Sequence, residues 1–114
     1  MKKYSPIHFT NEKFPPHGVD VKEGAVSFGH YSNGNLAIQV IDYRNGPYAV
    51  ATVNLEEYDI HPLPDHVFIK DYSETEGMWR KLHQMGIVSK PVREIPFGPY
   101  DAKAQECKVL VGEE

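Results

Sequence analysis

Cysteine is scarce in this sequence, and its scarcity excludes several kinds of site. The chain of 114 residues contains one cysteine, Cys107, so it cannot form an intramolecular disulfide framework or a zinc site made of clustered cysteines. A catalytic thiolate needs a nearby positive group and a base, and the adjacent sequence offers only Lys108. We therefore predict that Cys107 is a small buried residue of the core.

Long apolar runs and basic stripes are absent as well. No apolar run approaches the roughly 18 residues that a transmembrane helix needs. The first ten residues, MKKYSPIHFT, lack the apolar core of a signal peptide. The 12 lysines and arginines are outnumbered by 16 acidic residues and form no basic stripe. The sequence thus predicts a cytoplasmic protein that contacts neither a membrane nor nucleic acid.

Charge and proline are unevenly distributed along the chain. The length and the 40% content of hydrophobic residues predict a single domain over residues 1–114 with one modest core. The net charge of −4 is concentrated in residues 55–77, which contain seven acidic residues and one lysine. Residues 1–21 contain three of the nine prolines and show little periodicity. We predict that they form an irregular, partly mobile N-terminal arm with one short strand near residues 7–9.

The clearest fold signal lies in residues 24–55. Two Asn-Gly pairs separate three β-prone runs, and Asn-Gly favours the type I′ turns of β-hairpins. We therefore predict a three-stranded antiparallel meander over about 25–31, 36–43 and 47–55. Neither face of these strands is strongly polar, which predicts cover on both faces. One face would take a helix, and the other the N-terminal arm, the C-terminal segment or a second subunit in a homo-oligomer formed through the sheet.

One amphipathic helix is predicted at about residues 74–85. Ser73 followed by Glu76 is a capping-box pattern, and Asp71 followed by Glu74 is the same pattern two residues earlier. The apolar face has the spacing of i, i+4 and i+7, with Met78, Leu82 and Met85. Gly77 in a helix interior costs about 0.5–1 kcal/mol relative to alanine. Either close packing against a sheet or the approach of a ligand would explain it.

Further β-prone runs flank this helix. Residues 66–70 predict a buried strand, and the proline-interrupted segment after the helix predicts one or two C-terminal strands. The predicted fold is therefore α+β: an antiparallel sheet built on the meander, with strand 66–70, one packed helix and the C-terminal strands.

Part of the chain resembles a known family. The string IKDYSETEGM at residues 69–78, the preceding VNL at residues 53–55 and Gly86-Ile87 resemble small bacterial proteins of unknown function. Members of this family often occur in gut bacteria and around mobile genetic elements. The resemblance covers residues 31–88 and is weaker in the proline-rich tail. It implies a lineage and brings no activity and no site residues with it.

The acidic cluster permits an enzymatic interpretation. His66, Asp71 and Glu76 could form a centre for acid/base or metal-dependent chemistry. Helix capping and turn formation explain the same acidic residues more simply. The sequence contains no metal-binding motif, no phosphate-binding loop and no pairing of a nucleophile with a base. We therefore predict no catalytic residue, no metal and no cofactor.

The favoured interpretation is a non-enzymatic, small acidic interaction module that is accessory to a mobile element and binds a protein partner. One form of it blocks a host nucleic-acid enzyme by charge mimicry. The candidate binding residues are Glu56, Glu57, Tyr58, Asp59, Asp71, Tyr72, Glu76 and Gly77. Four tyrosines could also stack on the bases of single-stranded nucleic acid: Tyr31, Tyr43, Tyr48 and Tyr58. Because no lysine or arginine clusters beside them, we favour packing of these rings between neighbouring strands.

Overall fold

Seven strands and one α-helix make up the regular structure of the described residues. The computed structural model describes residues 4–15, 18–72, 75–99 and 102–111. The strands are β1 (Ile7–Phe14), β2 (Val19–His30), β3 (Leu36–Asp42), β4 (Gly46–Val50), β5 (His66–Lys70), β6 (Arg93–Phe97) and β7 (Ala102–Lys108). The helix α1 is Met78–Gln84, and Glu56–Tyr58 forms a 3₁₀ turn. The strands form two antiparallel sheets, β1-β2-β3-β4 and β5-β7-β6, which confirms the α+β class.

The predicted meander corresponds to β2, β3 and β4. Its first strand begins earlier than predicted, at Val19, and its third strand ends earlier, at Val50. Both Asn-Gly pairs lie at the turns, but only the glycines have positive φ, 90° at Gly34 and 91° at Gly46. The predicted type I′ geometry is therefore wrong. The loop before β4 has three residues followed by a left-handed glycine, which is the next most common hairpin form.

The short strand predicted near residues 7–9 is present, but it extends to Phe14 as β1, so the prediction of an otherwise irregular N-terminal arm is wrong for the described part of residues 1–21. Strand β1 pairs with β2 from Ile7 opposite Val26 to Phe14 opposite Val19. Its burial pattern does not alternate strictly, because Asn11 has a left-handed φ of 52° and the buried side changes there. This change hides the period of two that identifies a strand. Residues 1–3, 16 and 17 of the predicted arm lie outside the described residues.

The two sheets meet at residues 51–53. The amide of Ala51 donates to the Ile38 carbonyl at 2.8 Å, and the Ala51 carbonyl accepts from the Lys70 amide at 2.8 Å. The Val53 amide then donates to the Phe68 carbonyl at 3.0 Å. The chain therefore leaves β3 and pairs with β5. For this reason the third meander strand stops short of residue 55, and the strands form two sheets where one was predicted.

The main core lies between the first sheet, α1 and the inner face of the second sheet. Its members come from both sheets and the helix and include Phe14, Val26, Ile38, Val40, Ile69, Met78, Leu82 and Cys107. Cys107 is fully buried, as predicted. A smaller cluster of Leu55, Phe68, Ile95 and Ala104 lies on the other face of the second sheet. The chain between β4 and β5 contributes to this second cluster through Leu55.

The helix begins later than predicted. Gly77 is its N-cap with a left-handed φ of 97°, and Met78 is the first helical residue. The carboxylate of Asp71 accepts hydrogen bonds from the amides of Gly77, at 2.7 Å, and Trp79, at 3.3 Å. Positive φ therefore explains this glycine, because a Cβ there would come no nearer than 3.8 Å to Pro15. The predicted cap residues Ser73 and Glu74 lie outside the described residues. In the described part of the chain no helix has the length and apolar character to cross a membrane.

A fully buried carboxylate holds the connection between β4 and β5 to the second sheet. Glu106 of β7 accepts a hydrogen bond from the Leu63 amide at 2.8 Å and pairs with the Arg93 guanidinium. Arg93 also donates to the His61 carbonyl at 3.0 Å. Both carboxylate oxygens of Glu106 are thus used, as a buried charge requires.

Replacement of this carboxylate should strongly destabilise the fold. We expect Glu106→Ala to lower the free energy of unfolding by about 3 kcal/mol, because the Leu63 amide and the guanidinium lose a buried acceptor. Urea denaturation followed by circular dichroism measures the change. The control is Glu94→Ala, an exposed acid that bridges to Lys103 and should cost less than about 1 kcal/mol. Equal losses in the two variants would contradict the structural role assigned to Glu106.

Candidate functional site

The structure does not assemble the predicted enzymatic centre. His66 begins β5 and Asp71 follows its end, so a strand separates them by roughly 16 Å. The His66 ring binds the Pro64 carbonyl at 2.8 Å, Asp71 caps α1, and the side chain of Glu76 is exposed. Over the described ranges, no group of three or more His, Cys, Asp and Glu side chains is placed to hold a metal ion.

The predicted acidic residues of the connection do lie together. Glu56 and Glu57 lie in the 3₁₀ turn, and Asp59 follows it with a left-handed φ of 55°. All three side chains are exposed, whereas Leu55 before them is fully buried. The Tyr58 amide donates to the Leu55 carbonyl at 3.0 Å, which closes the turn over this anchor. We call residues 56–59 the acidic turn.

Three aromatic rings connect the acidic turn to the end of β5. The rings of Tyr58 and Phe97 are 5.7 Å apart between centroids, and those of Phe97 and Tyr72 are 5.8 Å apart. Both pairs are inclined by about 60°, as edge-to-face aromatic contacts prefer. We call these three residues the aromatic row. Tyr58 and Tyr72 were predicted, but Phe97 was missed because only the pairing of β6 with β7 places its ring between them.

A cleft of about 490 Å³ lies beside the segment of residues 51–53, which follows β4 and pairs with β5. This pairing ends near Lys70, and the chain then turns so that the Thr75 amide donates to the Tyr72 carbonyl at 3.1 Å. The wall is formed by three tyrosines, Tyr31, Tyr48 and Tyr72, together with Ala49, Val50, Thr52, Val53, Asn54, Lys70 and Thr75. We call it the tyrosine cleft. Its volume lies in the range that is typical of binding pockets.

The tyrosines of the cleft are held in fixed positions. The Tyr31 hydroxyl is hydrogen-bonded to the Thr52 hydroxyl at 2.9 Å. The Tyr48 hydroxyl donates to the Pro15 carbonyl at 2.6 Å, and partial burial raises its pKa, so it stays protonated. A bulge in β4 inserts Tyr48 between Pro47, which is opposite Ile41, and Ala49, which is opposite Val40, and the Tyr48 side chain packs against the main core.

The face of Tyr72 already accepts a cation. The Lys70 ammonium lies 5.6 Å from the centroid of the Tyr72 ring, within the range of a cation–π contact. Tyr72 therefore belongs both to the cleft and to the aromatic row. It joins them into one strip that ends at the acidic turn.

The other predicted binding residues have different places. Asp71 and Gly77 form the start of α1, and Glu76 lies exposed beside them. Tyr43 lies on the opposite side of the first sheet, where its hydroxyl is hydrogen-bonded to the His8 ring. The structure therefore gathers Glu56, Glu57, Tyr58, Asp59 and Tyr72 into one surface, and assigns Asp71 and Gly77 to helix capping.

Comparisons with protein-family models, with curated proteins and with solved structures each gave no match. The resemblance to small mobile-element proteins therefore stays a prediction. The functional argument depends on the chemistry of the strip formed by the cleft, the aromatic row and the acidic turn.

Removal of the helix cap should have a measurable but limited cost. We expect Asp71→Ala to lower the free energy of unfolding by about 1 kcal/mol, because two amides at the helix start lose their acceptor. Chemical denaturation of this variant and of Glu76→Ala, a neighbouring exposed acid, tests the assignment. The Glu76 variant should change stability by less than about 0.5 kcal/mol. A larger loss in that variant than in Asp71→Ala would show that the cap is wrongly assigned.

The single thiol should be unreactive in the folded protein. Burial raises the pKa of Cys107 from 9.0 to about 12, so at mildly alkaline pH the thiolate population falls about a thousandfold. We expect an aromatic disulfide reagent to label the native protein only on the timescale of unfolding, and to label it at once in denaturant. A Glu57→Cys variant, with a thiol on the acidic turn, is the positive control. Rapid labelling of the native chain would show that Cys107 is accessible.

Proposed function

We propose that the protein is a non-enzymatic binding module that holds a basic polypeptide segment along the strip formed by the tyrosine cleft, the aromatic row and the acidic turn. The observation that carries the proposal is the continuity of Tyr72, Phe97 and Tyr58. These rings join the aromatic wall of the cleft, which offers contact area, to three exposed carboxylates, which offer negative charge.

The composition of the cleft supports a polypeptide ligand. Tyrosine supplies a large amphipathic contact area with few rotatable bonds, and for this reason it is enriched in protein interfaces and antibody loops. The threonines beside the tyrosines are buried and hydrogen-bonded within the chain, Thr52 to the Tyr31 hydroxyl and Thr75 to the Tyr72 carbonyl, so they make the wall of the cleft rigid. The three tyrosine side chains come from three different parts of the chain. Hydrogen bonds hold Tyr31 and Tyr48 before a partner arrives, which lowers the entropy lost on binding.

The charges of the strip support a basic partner. Three carboxylates at one end, Glu56, Glu57 and Asp59, attract lysine and arginine and repel phosphate. Tyrosine faces accept the same cations, as the position of Lys70 over Tyr72 illustrates. Charges at such a rim act chiefly on the association rate and on the choice of partner. A nucleic-acid ligand would instead need a groove lined with cations.

The placement of the reactive side chains supports binding over catalysis. Cys107 is buried and protonated, and His66 is separated from Asp71 by the length of β5. The resemblance to mobile-element proteins suggests one class of basic surface, the phosphate-binding groove of a host nucleic-acid enzyme. Carboxylates of the strip would take the place of phosphates there.

Fluorescence anisotropy with short labelled peptides tests the proposal. We expect an arginine-rich peptide that contains leucine to bind, with an affinity that falls as salt rises, and glutamate-rich and serine-rich peptides of equal length not to bind. The double substitution Glu56→Gln with Glu57→Gln should weaken binding about tenfold, equivalent to about 1.4 kcal/mol. Tyr72→Ala should weaken it to a similar degree through lost contact area and cation–π attraction.

Two control variants make this test specific. Glu23→Gln and Tyr43→Ala remove an exposed acid and an exposed tyrosine from the opposite side of the first sheet. Both should leave peptide binding unchanged. If the controls weaken binding as much as the strip variants do, or if the arginine-rich peptide binds no better than the serine-rich one, the proposed function is wrong.

A further inference from the structure

The side of the first sheet that faces away from the core is largely open to solvent, with Ala25 as a buried residue on it. In β3, Ile38 and Val40 are buried toward the core, whereas Ala37, Gln39 and Ile41 alternate with them and are only half-buried. The strand register aligns neighbours beside these three residues: Gly29, Ser27 and Ala25 of β2, Val50 and Pro47 of β4, and, through Ala25, His8 of β1. We call this surface the outer face.

The outer face is almost free of charge. Apart from the His8 and Tyr43 rings, the side chains aligned across its four strands are aliphatic, small or neutral polar, and the first acid at its margin is Glu23, opposite Thr10. A quarter of all residues in the chain are charged, so a surface of this size would ordinarily carry several charges. Depletion of charge together with exposed apolar side chains, here Tyr43 at 53% and Val50 at 47%, is typical of the centre of a protein interface.

The shape of the outer face suits a second sheet. Small residues lie along β2, at Ala25, Ser27 and Gly29, and Gly29 is opposite Ala37 near the β2–β3 turn. Larger side chains lie beside them: Ile41 is directly opposite Ala25, and Val50 of the edge strand β4 is opposite Gln39. Two sheets pack face to face about 10 Å apart when their side chains interdigitate, and the small side chains of β2 leave room for side chains of a second sheet.

We propose that a second copy of this chain packs on the outer face, sheet against sheet, in a two-fold symmetric dimer. Each chain has a net charge of −4, so two copies repel each other except where they meet through a neutral surface. The outer face is such a surface, and in a two-fold dimer it would be its own complement. The outer face offers almost no charged side chains with which a charged partner could form ion pairs.

The area of the outer face sets the strength of the dimer. Four strands spaced about 4.8 Å apart and about seven residues long cover roughly 400 Å² per copy in projection. Because side chains make the surface uneven, its accessible area exceeds this projected area. The dimer would therefore bury on the order of 1,000 Å² in total, which is at the low end for specific interfaces. We therefore expect a reversible dimer whose dissociation constant lies in the micromolar range.

Sedimentation equilibrium of the whole chain, from about 1 μM to about 1 mM, tests the proposal over the expected range. The average mass should rise with concentration from 13.0 kDa toward twice that value. Gln39→Glu keeps the side-chain shape and places like charges at the centre of the interface, so the dissociation constant should rise at least tenfold. Gln84→Glu adds the same charge at an exposed position of helix α1 and should leave the dissociation constant unchanged.

A second measurement needs no variant. Amide NMR shifts recorded over the same concentrations should move in residues 25–29 and 37–41 and stay constant in β6 and β7. A monomeric mass at every concentration overturns the proposal, and so does equal weakening by Gln39→Glu and Gln84→Glu. Concentration-dependent shifts confined to the second sheet or to the tyrosine cleft would place the interface elsewhere and overturn it as well.

Discussion

The buried carboxylate of Glu106 is the constraint on which the second half of the structure depends. It lies on the outer side of β7 and joins the Leu63 amide to the Arg93 guanidinium, which itself binds the carbonyl of His61. A charge in this position is tolerated only because each oxygen has a partner. The connection between β4 and β5 is thereby held against the second sheet, and Leu55 is enclosed between them. The acidic turn therefore becomes a fixed part of the surface.

The segment that pairs with both sheets positions the binding strip. Residues 51–53 pair with β3 on one side and with β5 on the other, and beyond Lys70 the chain turns toward α1. The cleft lies beside this segment, and tyrosines from the β2–β3 turn, from β4 and from the end of β5 line it. The bulge at Tyr48 also interrupts the regular edge of β4, which discourages the addition of another strand there.

The first sheet separates two surfaces of opposite character. On its core side lie the helix and the second sheet. The strip with its exposed carboxylates begins at β4, where Val50 borders both surfaces, and ends at the acidic turn. The outer face on the other side carries almost no charge and is half-exposed. An acidic chain can recognise a basic partner through the first surface and another copy of itself through the second. The chemistry of each surface is suited to only one of these contacts.

The sequence alone determined the features that depend on local chemistry. Asn-Gly pairs placed the turns of the meander, the run at Val67–Ile69 placed β5, and a lone cysteine in a β-rich tail proved to be core. Tertiary structure decided the rest. The left-handed conformation of Asn11 hid β1, and Asp71 caps a helix whose first residue, Met78, lies seven residues after it. The division into two sheets, the burial of Glu106 and the position of Phe97 between two tyrosines all follow from pairings between distant segments. Periodicity and turn propensity describe neighbours along the chain, so they contain no information about such pairings.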